Sequence, residues 1–163
     1  ARARADLFII GTNDKVHETA NSLTEESGNP VEGLVCDITD RHAVSKTVSQ
    51  LGQIDVLINN AGYERLTPIL ESGSEVEAIF RRIIDVNILG TYYVTREAVS
   101  RMVSGSRIVI TASVWGKTGM AGFTAYCALK HANIAEKEMN HICTFLYFFL
   151  RRRKTVKMPT KSR

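Results

Sequence analysis

The stretch IDVLINNAG, residues 54–62, places a short apolar run directly before a polar loop. The run IDVLI, with a single acid, is typical of a buried strand, and NNAGYERLTP, residues 59–68, indicates a loop. Similar runs occur in ADLFIIG (5–11), VEGLVCD (31–37) and RIVITA (107–112). We therefore predict four strands, each a continuous apolar run and not an alternation of apolar and polar residues.

Helical patterns lie between these strands. Spaced apolar positions predict helices over residues 14–27, 41–52 and about 75–102, and another helix follows a loop over 113–123. Strands buried on both faces and alternating with helices are typical of parallel sheets covered on both sides. The predicted fold class is therefore α/β, a Rossmann-like doubly wound parallel sheet, in which ligands bind beyond the carboxyl ends of the strands.

The chain has 163 residues, enough for one domain with a core. Charge is distributed unevenly along it. The formal net charge is +4, but the segment after Leu150 carries seven Lys or Arg and no acid. Residues 1–150 therefore hold the other 14 basic residues and all 17 acidic ones, a net charge of −3. A basic cluster as short as this tail is more often solvated than bound, so we predict no specific nucleic-acid partner.

Composition narrows the possible classes of protein further. Three cysteines without a CxxC pair are typical of a reducing compartment, and we predict a cytoplasmic protein. Four histidines show no metal-ligand spacing, so we predict no metal site. The longest apolar run, ICTFLYFFL (142–150), is shorter than the roughly 20 residues of a membrane span. The opening ARARADLFIIG lacks an initiator Met and the pattern of a secretory signal.

The stretch TAYCALKHA, residues 124–132, puts Tyr126 four positions before Lys130, and Ser113 lies thirteen residues upstream of Tyr126. Residues four apart share one face of a helix. A free phenol, with a pKa of about 10, is a poor acid or base at neutral pH, and an adjacent ammonium favours the phenolate. A hydroxyl such as that of Ser113 could hold a substrate oxygen against the phenol. Alone, this pair is a weak signal, and a solvated helix face is the alternative interpretation.

Four motifs, LINNAG, DVNILGTYYV, RIVITAS and YCALK, follow one another in a regular order. With them, residues 1 to about 133 resemble the short-chain dehydrogenase/reductase family, especially its 3-oxoacyl-carrier-protein reductase-like members. The resemblance implies a partial NAD(P)-binding Rossmann domain over 1–133, followed by a divergent segment with a basic tail over 134–163. It further implies hydride transfer between a nicotinamide and a carbonyl or secondary alcohol of a small-molecule substrate, and a homo-oligomer in the intact family form.

The resemblance implies a catalytic role for four residues. Tyr126 matches the tyrosine that exchanges a proton with the substrate, and Lys130 matches the lysine that binds the nicotinamide ribose and lowers the pKa of that tyrosine. Ser113 matches the serine that polarises and orients the substrate oxygen. Asn87, in DVN, matches the asparagine that holds a proton-relay water. The alternative for Asn87 is a helix residue that bonds to backbone at a kink.

The resemblance also implies cofactor contacts at the ends of the strands. Gly62 of NNAG lets the backbone approach a ligand, and Asn59 would bond across strands or near the adenosine, with a plain Asx turn as the alternative. Asp37 matches an acid that contacts the adenine amino group; the alternative is a helix N-cap, a role that Asp40 could fill instead. The predicted cofactor-binding residues are Gly11, Thr12, Asn13, Asp37, Ile38, Asn59, Ala61, Gly62, Tyr126 and Lys130.

The position after the first strand distinguishes the two nicotinamide cofactors. NAD enzymes usually place an acid there for the ribose 2′-hydroxyl. Here the residue is Gly11, followed by Thr12 and Asn13, so no carboxylate repels a 2′-phosphate and two small polar side chains can accept it. We therefore predict that NADP(H) is preferred over NAD(H), although Asp14 lies close by.

The region that would contact a substrate is only partly defined. Trp115, Met120 and Phe123 lie in the loop beyond Ser113, where packing is a more common role than substrate contact. The segment GYERLTP, residues 62–68, is a second candidate for the edge of a pocket.

The chain departs from the family pattern at both ends. It shows no TGxxxGxG loop at its start and no Pro-Gly loop or final strands after Ala132. The missing first strand of the family lies in the middle of the sheet, between DLFII and IDVLI. We therefore expect an incomplete sheet in which these two strands pair directly, pair with another chain, or leave their edges exposed. The chain is expected to bind cofactor weakly, and the alternative function is an inactive truncated member that acts at most by association with full-length subunits.

Overall fold

The computed structural model describes residues 5–71, 73–135 and 144–150. Within these ranges, strands and helices alternate as the sequence predicts. The strands are β1 (Leu7–Gly11), β2 (Val31–Val35), β3 (Val56–Asn59), β4 (Arg107–Ser113) and β5 (Thr144–Leu150). The helices are α1 (Lys15–Ser27), α2 (Arg41–Ser49), α3 (Ser74–Ile84), α4 (Thr91–Val99) and α5 (Thr124–Ala135).

The strands form two parallel sheets. One sheet contains β1 and β2, and the other contains β3, β4 and β5 in that order. In the first sheet Ile9 lies opposite Gly33, and in the second Val56 lies opposite Arg107. The α/β class with an incomplete parallel sheet is therefore confirmed. Among the described residues β1 and β3 do not pair, so of the three expected arrangements direct pairing of these strands is wrong.

The strand β5 corrects one expectation. We predicted no final strands after Ala132, but residues 144–150 pair with β4 along its whole length, from Arg107 opposite Thr144 to Ser113 opposite Leu150. The segment TFLYFFL contains one threonine and four aromatic residues, types that favour strands. The rest of the predicted divergent segment lies outside the described residues, apart from the end of α5, and so does the basic tail.

The long predicted helix over 75–102 is interrupted. A π-helical turn, Asp85–Gly90, separates α3 from α4, and α4 ends at Val99. At the end of this turn a Cβ on Gly90 would lie 2.7 Å from Cγ1 of Ile38, so a larger residue at this position would require the Ile38 side chain to move. The interruption thus accompanies a tight contact between the helix and the loop after β2.

Helices cover both faces of the first sheet. A Cβ on Gly33 would lie 2.8 Å from the carbonyl oxygen of Val16, so α1 lies directly on the face that carries Ile9 and Gly33. Side chains alternate along a strand. Ile10 therefore points to the opposite face, where α2 and α4 pack.

One buried apolar cluster lies beneath both sheets. We call it the α2/α4 cluster; its members are Cys36, Val44, Val48 and Val94. Ile10 of β1 and Leu57 of β3 both pack against it. A hydrogen bond of 3.3 Å from Ser45 Oγ to Glu97 Oε2 also links α2 to α4. The two sheets are thus held side by side by a shared helix layer.

Asp40 is the N-cap of α2. One oxygen of its carboxylate accepts hydrogen bonds from the backbone N–H groups of His42 at 2.9 Å and Ala43 at 3.1 Å. The alternative in which Asp40, and not Asp37, fills this role is therefore confirmed. Asp14 occupies the same position before α1, but its side chain makes no capping hydrogen bond.

This difference predicts unequal costs for two matched substitutions. Asp40→Ala is expected to lower the free energy of unfolding by about 1 kcal/mol, because two N–H groups at the start of α2 lose their acceptor. Asp14→Ala, the control, is expected to cost less than half of that. Urea denaturation followed by circular dichroism measures both values, and equal costs would contradict the assignment of the cap.

Candidate active site

The residues of interest gather at the carboxyl ends of the parallel strands. Gly11 ends β1, Asn59 ends β3 and Ser113 ends β4. Since parallel strands bring these ends to one edge of a sheet, each sheet presents its polar loops on the same side. Helix α5, which carries Tyr126 and Lys130, begins near the end of β4.

The start of α5 is fixed by the loop that follows β3. Thr67 is buried, its N–H donates to the carbonyl of Gly122 at 2.7 Å, and its hydroxyl oxygen accepts the N–H of Ala125 at 3.0 Å. Ala125 and Leu129 are fully buried against Ile83 of α3. These contacts set the position from which the side chains of α5 extend.

Tyr126 and Lys130 lie on one face of α5. The amine nitrogen of Lys130 is 5.4 Å from the centroid of the Tyr126 ring, a cation–π distance. Tyr126 is half-buried, and Lys130 is only 5% exposed. The pair is therefore not a solvated helix face, which was the alternative interpretation of the sequence.

The Lys130 amine is held from the strand side. It donates a hydrogen bond of 2.8 Å to the backbone carbonyl of Thr111 on β4. Burial lowers the pKa of Lys130 because desolvation penalises the charged ammonium, and the nearby carboxylate of Glu64 opposes this effect. The chain thus places a desolvated amine beside a phenol, in surroundings where charge interactions are strong.

Ser113 is linked to Tyr126 through Trp115. The Ser113 hydroxyl oxygen accepts the N–H of Trp115 at 3.3 Å in the short 3₁₀ turn Val114–Gly116. The indole ring of Trp115 meets the Tyr126 ring edge to face, with centroids 5.6 Å apart, and lies 4.7 Å from the ring of Phe123. Ser113 itself is buried at the end of β4. The strand end and the start of α5 are therefore joined by aromatic contacts.

Asn87 joins the interrupted helix to the loop after β3. Its side-chain nitrogen donates to the carbonyls of Ile83 and Tyr63, both at 2.9 Å, and its oxygen accepts the N–H of Tyr63 at 3.2 Å. A Cβ on Gly62 would lie 3.0 Å from that oxygen. Asn87 is 1% exposed. This geometry is that of the alternative interpretation, a helix residue bonded to backbone at an irregular turn.

Asp37 is engaged by two partners. One carboxylate oxygen accepts the N–H and the hydroxyl of Thr39, at 2.9 and 2.8 Å. The other accepts Nη2 of Arg82 on α3 at 3.1 Å, and Arg82 Nη1 also reaches the Thr39 hydroxyl at 3.0 Å. The Thr39 N–H contributes most to holding the pKa of Asp37 below its ordinary value, with the Thr39 hydroxyl and Arg82 acting in the same direction against desolvation. An adenine amino group would share this carboxylate with Arg82.

The other predicted contact residues fall into two groups. Thr12, Asn13, Ala61 and Gly62 are exposed. Asn13 Oδ1 accepts the N–H of Lys15, the first residue of α1, at 3.1 Å. By contrast, the half-buried side chain of Ile38 packs against the α2/α4 cluster, and a Cβ on Gly11 would lie 3.0 Å from Cβ of Val16.

Asn59 differs from its predicted contact. Its side-chain nitrogen donates to the hydroxyl of Thr95 on α4 at 2.9 Å and so binds the helix layer, not a neighbouring strand. The bond between strands comes from the next residue, because Asn60 Oδ1 accepts the Thr111 hydroxyl at 2.9 Å. Asn60 and Thr111 therefore connect NNAG to the strand that holds the Lys130 amine.

Sequence reasoning missed three contributors to this site. Arg82 lies 45 residues from its partner Asp37, and no local pattern marks such a pair. The carbonyl of Thr111 is a backbone group and has no signature among side chains. Glu64 lies in GYERLTP, the segment that the sequence predicts as a pocket edge. Its negative charge within that segment was the feature of the sequence that could have indicated its effect on Lys130.

The described residues show neither a metal site nor a membrane-spanning helix. No group of three or more His, Cys, Asp or Glu side chains among them is arranged to hold a metal ion. No helix in this part of the chain is long and apolar enough to cross a membrane.

Comparison with known proteins gives these residues a family context. The family profile described as short chain dehydrogenase matches residues 1–137. The chain is also similar to the 3-oxoacyl-[acyl-carrier-protein] reductase FabG of Haemophilus influenzae. The two are 30% identical over 129 residues, which cover 76% of this chain and 52% of that protein. The chain spans about half the length of the curated relatives it matches.

Two solved structures share the fold. One is NAD⁺-bound xylitol dehydrogenase, with a TM-score of 0.76 and 30% identity over 84% of this chain and 54% of that one. The other is a blue fluorescent protein from a metagenomic library in complex with NADPH. Its TM-score is 0.71 and its identity 27%, over 81% of this chain and 56% of that one.

The bonds of Asn87 predict a large effect on stability. Asn87→Ala is expected to lower the free energy of unfolding by about 2–4 kcal/mol, because it removes three hydrogen bonds of a side chain that is itself buried, one of them to the carbonyl of the fully buried Ile83. Asn21→Ala, at an exposed position of α1, is the control and is expected to change stability by less than about 0.5 kcal/mol. Urea denaturation measures both, and a small effect of Asn87→Ala would contradict the role of Asn87 in joining helix and loop.

Proposed function

The chain belongs to the short-chain dehydrogenase family, as its motifs predict, and on that premise we propose that it serves NAD(P)-dependent hydride transfer at a carbonyl or secondary alcohol of a small molecule. The observation that carries the proposal is the pairing of Tyr126 with the buried amine of Lys130, 5.4 Å from the phenol ring. The proposal includes a homo-oligomeric assembly of the intact family form and a cytoplasmic location.

The residues at the strand ends fit a nicotinamide cofactor. An ammonium has three N–H donors, and the described bond of Lys130 to the Thr111 carbonyl uses one of them. The remaining donors suit hydroxyl oxygens such as those of a ribose. Ala61 and Gly62, in the loop after β3, are exposed. When bound, the nicotinamide supplies or accepts the hydride.

The proton is handled by Tyr126 and Ser113. The phenol of Tyr126 donates its proton to the substrate oxygen in reduction, or takes one from the alcohol in oxidation, and the charge of the Lys130 ammonium favours the phenolate. The Ser113 oxygen accepts the Trp115 N–H, so the hydroxyl hydrogen of Ser113 is free to donate to the same substrate oxygen. Both groups then orient that oxygen.

Asn87 has a positioning role in this proposal. Both hydrogens of its amide are used by the carbonyls of Ile83 and Tyr63, so it holds the loop after β3 against the helix beside α5. A relay water would have to bind the remaining lone pair of the amide oxygen or a nearby carbonyl.

A comparison of two tyrosines tests the proposed reaction. The assay follows the absorbance of NADPH at millimolar concentration with a panel of small ketones and aldehydes. Tyr126→Phe is expected to lower the rate by about 10²–10⁴-fold, because the acid–base group is lost. Tyr92→Phe, at an exposed position of α4, keeps the rate of the unaltered chain. Full activity of Tyr126→Phe would contradict the proposal.

The preference for NADP(H) rests on the loop after β1. No carboxylate lies at Gly11, Thr12 or Asn13, and helix α1 begins with Lys15, after Asp14 at its N-cap position. A helix N-terminus and a lysine both favour a phosphate, while Asp14 opposes it. These groups would face the 2′-phosphate on the adenosine half of the cofactor.

The adenosine half alone tests this preference and does not require a pyrophosphate loop. We expect 2′,5′-ADP to bind the chain at least about tenfold more tightly than 5′-AMP in an NMR titration. The reason is that its additional 2′-phosphate would lie at the N-terminus of α1, beside Lys15. Lys15→Ala removes most of the difference, and Lys46→Ala, at the far end of α2, leaves it unchanged. Equal affinity for the two nucleotides would exclude the preference.

A second candidate function is supported by the separation of the two sheets. In the part of the chain that the structure describes, no glycine-rich loop follows a strand in the way that a pyrophosphate requires, and β1 and β3 do not pair with each other. The chain would then be an inactive family member that associates with full-length subunits. Calorimetry distinguishes the candidates: absence of both NADPH binding and turnover in the unaltered chain favours the second, and micromolar binding favours the first.

A further inference from the structure

The strand β4 extends past the point where its neighbour β3 ends. The register of paired residues ends at Asn59 on β3 and Ile110 on β4, and β4 then continues. The N–H of Arg107 bonds to the carbonyl of Asp55, on the β3 side of the strand. Because alternate residues of a strand direct their N–H and C=O groups to the same side, the carbonyl of Thr111 also points to the β3 side. It is the first carbonyl on this side of β4 that lies beyond the register.

The Lys130 amine occupies the place that a backbone N–H would have in a longer ladder. In the parallel pattern, the N–H that would bond to the Thr111 carbonyl is that of Ala61, which lies in the loop after β3. Here the carbonyl accepts the Lys130 amine at 2.8 Å. Lys130 is buried, and a buried ammonium needs hydrogen-bond partners from the protein. The end of the ladder therefore provides the acceptor that the amine requires.

Thr111 is held through its side chain as well. Its hydroxyl donates to Oδ1 of Asn60, the residue directly after β3, at 2.9 Å. On its other side, β4 pairs with β5, and Thr111 lies opposite Phe148. A threonine is restricted at χ1 by the two heavy atoms on its Cβ, so a bond to its hydroxyl also restrains the backbone of the same residue. One residue thus accepts the amine at its carbonyl and is tied to NNAG by its hydroxyl.

The position of the amine determines how strongly it acts on the phenol. The amine lies 5.4 Å from the centroid of the Tyr126 ring. The attraction between an ammonium and a phenolate weakens with distance and is stronger where water is excluded. Helix α3, the π-helical turn, the 3₁₀ turn and β4 all pack against α5. The carboxylate that acts on the amine is that of Glu64, in the loop after β3.

We propose that Thr111 is a positioning residue of the candidate site. Its carbonyl holds the Lys130 amine beside Tyr126, and its hydroxyl bond to Asn60 keeps that carbonyl in place. The inference rests on the proposed hydride transfer, in which Tyr126 is the acid–base group, and Thr111 acts on that group through Lys130. Valine has nearly the shape of threonine and also favours strands, so the hydroxyl can be removed while the strand is kept.

The first test follows the titration of the Tyr126 phenol by NMR of a chain labelled with ¹³C at the ζ carbon of tyrosine, with Tyr126→Phe to assign the signal. Thr111→Val is expected to raise the midpoint by about 0.5–1 on the pH scale, because an ammonium held less closely stabilises the phenolate less. Thr111→Ser keeps the hydroxyl, and its midpoint stays within about 0.2 of that of the unaltered chain. An unchanged or lowered midpoint in Thr111→Val would overturn the proposal, and so would equal shifts in both variants.

A matched control is Thr95→Val. It also removes a threonine hydroxyl that bonds to an asparagine at 2.9 Å, but that bond joins Asn59 to the helix layer. We expect the Tyr126 midpoint of this variant to stay within about 0.2 of that of the unaltered chain. Its cost in urea denaturation is at least as large as that of Thr111→Val, because Thr95 is buried. A shift as large as that of Thr111→Val would indicate general loosening of the fold and would exclude a positioning role.

The other half of the hydroxyl bond is tested by Asn60→Ala, at an exposed position that tolerates substitution. We expect it to raise the Tyr126 midpoint in the same direction as Thr111→Val, and the double variant to shift it no further than Thr111→Val alone. Additive shifts would contradict the role of the bond, and if Thr111→Val does not fold, Asn60→Ala decides. The titration needs neither cofactor nor turnover. An unchanged midpoint therefore contradicts the positioning role alone, whereas full activity of Tyr126→Phe contradicts the proposed reaction.

Discussion

Burial of apolar side chains in the α2/α4 cluster is the constraint on which the arrangement of the molecule depends. Ordinarily, backbone hydrogen bonds determine how the strands of a sheet lie relative to one another. Here that bonding is interrupted between β1 and β3, and the alignment of the two sheets relies on contacts made by Ile10 and Leu57 with a shared set of helix residues. Packing is less directional than hydrogen bonding. The position of one sheet relative to the other is therefore set by side-chain packing and not by the register of hydrogen bonds between strands.

Side-chain hydrogen bonds fix the relative orientation of segments that the apolar cluster leaves less constrained. Asn87 connects the helix interruption to the loop after β3, Thr67 connects the same loop to α5, and Arg82 connects α3 to the loop after β2. Each bond joins segments that are far apart in sequence, and together they surround the carboxyl ends of the strands. The candidate site therefore owes its geometry to a small number of side chains outside the pair formed by Tyr126 and Lys130.

The parts of the fold that were predictable from sequence are those determined locally. Continuous apolar runs identified β1 to β4, and the spacing of Tyr126 and Lys130 placed both on one helix face. The π-helical turn was not predicted. It is accompanied by a hydrogen bond from Asn87 to Tyr63, 24 residues away, and a pattern of neighbouring residues carries no information about such a bond. β5 lies in a segment that departs from the family pattern, so the strand propensity of TFLYFFL is the one local signal for it. The burial of Lys130 could not be predicted either, since its bond is to a backbone carbonyl.

The aromatic contact between Trp115 and Tyr126 has an optical consequence. Trp115 is the only tryptophan among the 163 residues, and it is bonded to Ser113 while its ring lies against the phenol. Most proteins report on their sites only through emission averaged over several indoles. In this chain all the indole emission originates two residues beyond the end of β4, so the colour and lifetime of that emission describe the polarity of the candidate site and of no other place in the molecule.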